Sequence, residues 1–228
     1  MLQHARWYKK LYPHFQPGKT TKEHVMQRID FYSEPHTEQR CMLFENAHKA
    51  GTINYEDDSA VKILIENLRT TINTIRQHAE NESRWIHPFI VKNYEKEMIS
   101  LDKDHHELEA LLDELEQSVE SLEKALDNRA TLGKKMYQSL YRFIGRYVNH
   151  MEQEESLLPS LWSTFKDAEL AVVIAAFLTA RHPNHAPGFL KNLKENFTQS
   201  DTKTFFEIIQ KIYPPIEYEQ ITQIYDRV

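Results

Sequence analysis

Residues 132–159 read LGKKMYQSLYRFIGRYVNHMEQEESLLP, with apolar side chains at Leu132, Met136, Leu140, Phe143 and Tyr147. The same stripe then runs on through His150 and Glu154 to Leu158. Steps of three and four are the period of a helix with one buried face. That face, meant for a core, here holds a histidine and a glutamate one turn apart. A second stripe behaves alike: Val61, Leu64, Leu68, Ile72 and Ile75 continue in step to His78 and Glu82. A third runs Leu101, Leu108, Leu112, Leu115, Val119, Leu122 and Leu126, and His105 fills its one gap of seven.

The breaks between stripes fall where helices end. Gly51 and the polar GTINYEDD precede the stripe that starts near Ser59, and Asn128 to Gly133 separates the third from the fourth. His87-Pro88 is expected to end the second helix, and Pro159 to close the fourth. The reading is helices at about 33–50, 58–87, 95–127 and 132–158. Short links favour antiparallel neighbours, so the fold class is all-α, an up-down-up-down four-helix bundle. Thr20-Thr21-Lys22-Glu23 offers a capping box for a short helix before Ser33. After Lys166, helical stretches near 168–180, 188–198, 202–213 and 216–226 follow, with a break at His182-Pro183. The expected organisation is an N-terminal arm (1–32), the bundle (33–165) and a helical C-terminal extension packing on it (166–228).

Composition narrows the function. Of 228 residues, 40% are hydrophobic and 27% charged, which is a folded, soluble balance. Only 5 glycines disfavour Rossmann folds, phosphate loops and all-β folds. A net charge of −6 gives no reason to expect nucleic acid. Cys41 is the single cysteine, which excludes an internal disulfide and any thiolate-cluster metal site. The N-terminus lacks the continuous apolar core of a signal peptide or anchor. Leu170–Ala180, the longest apolar run, is about half a membrane span, so it reads as packing. The expected compartment is the cytoplasm, with no membrane contact. No residue pattern points to a protein partner or a homo-oligomer.

The 12 histidines carry the rest. One HxxxE pair is expected by chance in such a chain, about once. Here there are His78/Glu82, His105/Glu109 and His150/Glu154. HAENE (78–82) and HMEQE (150–154) are both HxExE, each with a proline shortly after. His36 precedes His78 by 42 residues and His105 precedes His150 by 45. Residues equidistant from the turn of an antiparallel hairpin lie at one height, and both midpoints, 57 and 127–128, fall in expected loops. The four histidines therefore belong at one level of the bundle, facing inward. Burying carboxylates and imidazoles together is costly unless something neutralises them. A metal does so, and an oxygen-and-nitrogen donor set suits iron, manganese or zinc. Two glutamates at adjacent heights suit bridging two ions.

The order His, HxxxE, His, HxxxE on four consecutive helices resembles the hemerythrin-like, or HHE cation-binding, domain, over Ser33 to Pro159. The resemblance implies a non-haem di-iron site with ligands His36, His78, Glu82, His105, His150 and Glu154. Glu82 and Glu154 would bridge two iron ions, with an oxo bridge as a further element and zinc or manganese as lesser occupants. Oxygen-carrying hemerythrins have a second histidine four residues after that of the third helix, where this chain has Glu109. They place the last carboxylate five residues after the final histidine, where Glu155 stands. These departures speak against reversible oxygen carriage and leave metal binding intact. The implied role is binding or sensing a small oxidant (oxygen, peroxide or nitric oxide) or iron itself, without an assigned catalytic activity. The alternative is a helical scaffold with a structural metal or none. A one-zinc hydrolase is disfavoured because the candidate ligands exceed three plus water. A ferritin-like site needs two ExxH motifs on separate helices, and only Glu45–His48 is present.

The remaining polar candidates divide as follows. His105 is preferred to His106 because it fills the apolar gap. Glu80 and Glu152 fall off the buried face and read as solvated. Glu109 and Glu155 stay open between a ligand, an acceptor for a ligand and a surface charge. His182 and His185, in RHPNHAP, read as loop imidazoles. Histidines 4, 14, 24, 48 and 87 have no spacing partner and are read as incidental. Tyr147, one turn before His150, either packs the core or lines the site.

Overall fold

The computed structural model describes residues 28–125 and 127–228. The expected short helix around Thr20 and the histidines at 4, 14 and 24 lie outside them. Among the described residues there are helices and no strands. Four helices carry the stripes: α1 (Ser33–Thr52), α2 (Asp58–Asn81), α4 (Glu95–Glu123) and α5 (Arg129–Thr164). Between α2 and α4 come a π-helical turn, Glu82–Ile86, and a short α3 (His87–Ile90).

Cross-helix pairs set the directions. His36 meets His78 and Asn46 meets Thr71, so α1 and α2 run antiparallel. Arg69 meets Glu123 and Arg76 meets Asp113, which turns α4 against α2. Arg146 with Glu107 and Arg142 with Glu114 do the same for α4 and α5. Helix α1 closes the ring on α5. The stripe residues fill the centre: Leu64, Leu68, Ile72, Leu112, Leu115, Val119, Met136, Leu140 and Phe143 are all buried in one cluster. Local chemistry agrees. Asp57 caps α2 by accepting from Ser59 and Ala60 N–H groups, and Asn128 takes a positive φ of 62° at the start of α5.

Two helix ends differ from expectation. The second helix does not stop at His87-Pro88. Regular α geometry ends at Asn81, the π turn takes up one extra residue, and Pro88 falls in the first turn of α3, which continues directly from it. Nor does Pro159 close the fourth helix, since α5 continues through it to Thr164. An interior proline costs about 3 kcal/mol, and burial of Leu158 and Leu161 on either side of it offsets that loss. Carbonyls around the end of α5 take side-chain donors: Arg28 donates to Trp162 O and Phe165 O, and Tyr94 donates to Ser160 O.

Beyond α5, helices α6 (Asp167–Arg181), α7 (Ala186–Asn196), α8 (Gln199–Ile212) and α9 (Pro215–Arg227) gather around a second apolar cluster. That cluster is shared with the bundle end, through Tyr32, Trp85, Ile90, Met98, Leu101, Leu158 and Leu161. Leu170, Ala171, Val172, Ala175 and Ala176 of α6 are fully buried there, so the longest apolar run is packing. No helix among the described residues is long and apolar enough to cross a membrane.

Close packing at the opposite end gives a first expected result. A methyl group on Gly133 would overlap the ring of Tyr55, which is tied down by its hydroxyl bond to Ala50 O. Gly133→Ala is expected to cost about 1–3 kcal/mol in a urea unfolding experiment despite its better helix propensity. An unchanged or raised midpoint would show that the ring moves away freely.

Candidate metal centre

The α-helical period brings His36, His78, His105, His150, Glu82 and Glu154 to one level inside the bundle. His36 comes from the first turn of α1, His78 from the end of α2 and Glu82 from the first position of the π turn. His105 comes from α4, and His150 and Glu154 from α5. Donor atoms of His36, His78, Glu82 and Glu154 lie within 4.8 Å of one another, and so do those of Glu82, His105, His150 and Glu154. The two groups share the two carboxylates.

Each carboxylate divides its oxygens between the two imidazole pairs. Glu82 Oε1 is 2.9 Å from His78 Nε2 and 3.7 Å from His36 Nε2, while its Oε2 is 3.5 Å from His105 Nε2. Glu154 Oε2 is 3.3 Å from His36 Nε2, and its Oε1 is 3.0 Å from His150 Nε2 and 3.5 Å from His105 Nε2. Between these carboxylates and imidazoles proximity is not hydrogen bonding, whereas His36 Nε2 and His78 Nε2 pair at 3.1 Å. Glu82 Oε1, both oxygens of Glu154, His105 Nε2 and both nitrogens of His150 are buried without a hydrogen-bond partner. An unmet buried polar group costs about 1–3 kcal/mol. These atoms converge on shared space rather than on each other, which is the arrangement a cation between them would satisfy. Their donor chemistry, imidazole and carboxylate without thiolate, fits iron or another first-row ion.

The charges reinforce one another. Burial disfavours the imidazolium of His36, but the Glu154 and Glu82 carboxylates outweigh it and lift its pKa to about 9. His105 is raised likewise to about 10. Burial works against ionising Glu154, and so does the neighbouring Glu82 charge, yet His105, His150 and His36 hold it down at about 2. Glu82 is also lowered, chiefly by His78 against its own burial. The sign of the pH effect follows. Histidine pairs stabilise fully below the ordinary value of 6.5 and lose their contribution as pH rises through about 9 to 10. Glu154 contributes above 4.5 and is lost as pH falls towards about 2. The metal-free protein is thus expected to be most stable at roughly pH 5–6.5. Its urea midpoint should fall steadily between pH 7 and 10 in chelator-treated samples; a flat profile there would contradict this charge arrangement.

Surrounding groups orient the donors. Glu155 is no member of either donor group: half-buried, it sits 2.9 Å from His36 Nδ1 and takes both arms of Arg40 at 2.7 and 3.1 Å. It accepts from His36 and leaves Nε2 to face the centre. Glu109 is exposed and outside both groups, as are Glu80, Glu152 and His106. Tyr147 is buried and stacks on Phe143, and its hydroxyl donates to Gln39 Oε1. His182 and His185 lie on the surface, their rings 6.2 Å apart, in no donor group among the described residues. His48 is exposed.

Two residues near the centre escape a reading by spacing. Tyr32 is fully buried, stacks on His36 at 5.4 Å, and has a hydroxyl without a partner. It lies one helical turn before His36, whose N–H bonds Tyr32 O, on the same face but ahead of the stripe that was read. His87, expected to be incidental, is buried against His105 with ring centroids 5.3 Å apart. Its step of five from Glu82 breaks the α period, and only the π turn makes that step face inward.

A helical bundle with carboxylates and imidazoles gathered in its interior is the architecture of a metal-binding four-helix protein. The chain belongs to the hemerythrin family: the hemerythrin HHE cation-binding domain model matches residues 27–161, more than half of its length. Cation binding is the property that family membership carries. No curated protein and no solved structure matches the chain.

Proposed function

We propose that the protein is a non-haem di-iron protein that binds or senses a small oxidant (oxygen, peroxide or nitric oxide) or iron itself. The observation behind this is the division of each carboxylate between two imidazole pairs. His36 and His78 would hold one ion, His105 and His150 the other, and Glu82 and Glu154 would bridge them. Bound iron would supply redox-active ions able to coordinate a small ligand. The chain fixes donor geometry and keeps bulk water out. Four of the six donor residues are essentially inaccessible, while the side chains of His78 and His105 retain 11% and 13% exposure. Glu155 and Arg40 hold the His36 ring from behind.

The test is metal content on protein purified without chelators, with an absorption spectrum of the same sample. Expected are about two irons per chain, lost in His78→Ala and His150→Ala, and near-ultraviolet charge-transfer bands. Absence of metal, with none taken up from anaerobic ferrous iron, would sink the reading and favour a scaffold role. A change of spectrum on adding nitric oxide or peroxide then identifies the ligand.

A further inference from the structure

His87 is the buried imidazole that the six-donor reading leaves unused. Its Nδ1 lies 3.1 Å from Asp102 Oδ1, and its Nε2 is buried with no hydrogen-bond partner. An ionised carboxylate only accepts, so Nδ1 carries the proton and Nε2 presents its lone pair. A carboxylate on one ring nitrogen and a free lone pair on the other is how ligating histidines are oriented. The backbone explains how the ring reaches this place. Five residues on from Glu82, an α-helical side chain would point about 140° away. The π turn absorbs the extra residue, and the His87 N–H bonds Glu82 O. Thus His78, Glu82 and His87 descend one inward face. The His87 ring lies nearly parallel to that of His105, at 15°, and one donor atom each of His87, Asp102 and His105 falls within 4.8 Å of the others.

We propose that His87 is a seventh metal donor, acting through Nε2 on the His105–His150 side of the centre with Asp102 holding its ring. This rests on the di-iron reading. It makes the two metal positions unequal, with three imidazoles on one side and two on the other.

The full-length chain, stripped and reloaded anaerobically with ferrous iron, provides the test. X-ray absorption counts imidazoles per iron, and chelator competition measures retention. His87→Gln should show one imidazole fewer per pair of ions and release one ion about 10–100-fold more readily. Asp102, with 59% of its side chain exposed, can be changed without disturbing packing. Asp102→Asn should weaken the same ion by about 10-fold with both ions still bound at saturation. If His87→Gln fails to fold, Asp102→Asn decides. Wild-type retention and imidazole count in the folded variants would overturn the assignment of His87 while leaving the di-iron reading in place. A wild type that takes up no iron would overturn both.

Discussion

Glu154→Ala is expected to empty the centre of metal and to destabilise the metal-free chain by about 3–5 kcal/mol. Its carboxylate faces His36, His105 and His150 at 3.0–3.5 Å and is fully buried. Truncation leaves the imidazoles with Glu82 alone, and a buried charge stripped of its partner is among the costliest changes a core can suffer. It also removes one of the two groups that reach both imidazole pairs. Glu152→Ala, two residues away on the exposed side of the same helix, serves as the control and should shift stability by less than about 0.5 kcal/mol. Iron per chain and the urea midpoint are the measurements. A Glu154→Ala protein that keeps the wild-type metal content and midpoint would show that the carboxylate is not held in this charge network.

The second large effect is at the joint between the bundle and the C-terminal helices. Trp85 is 1% exposed and lies inside the π turn. Its ring packs against Tyr213 at 5.6 Å, and its carbonyl accepts the Tyr213 hydroxyl at 2.7 Å. Trp85→Ala should cost about 3–5 kcal/mol through the cavity left behind. Since the turn it anchors begins with Glu82, metal retention should weaken as well. Phe205→Ala, fully buried in the same cluster but on α8, should cost a comparable amount and leave metal retention intact. Equal metal retention in the two variants would disconnect the turn from the centre.

The centre was readable because helical geometry is local. A step of four puts His78 over Glu82 and His150 over Glu154 whatever the helices later pack against. Equal spacing about the two turns put the four histidines at one height, and the structure brings them there. What spacing missed is the set of residues whose place depends on irregular backbone. A proline reads as a stop, yet Pro159 lies within α5 because Leu158 and Leu161 are buried around it. His87-Pro88 reads as a terminus, and instead a π turn shifts the phase by one residue. Tyr32 caps its helix one turn before His36, where an expected helix start at residue 33 left it out of the stripe.

The sequence by itself determined the helices, the inward face of each and the donor types on those faces, because a 3.6-residue period needs no knowledge of neighbours. It also implied the antiparallel order, through short links. Only the tertiary structure decided which oxygen of each carboxylate faces which imidazole, that Glu155 braces His36 while Glu109 stays in solvent, and that His87 turns inward. It alone joined the last four helices to the metal end through Trp85 and Tyr213. Those outcomes depend on contacts between residues distant in the chain, where packing overrides the local signals of proline and spacing.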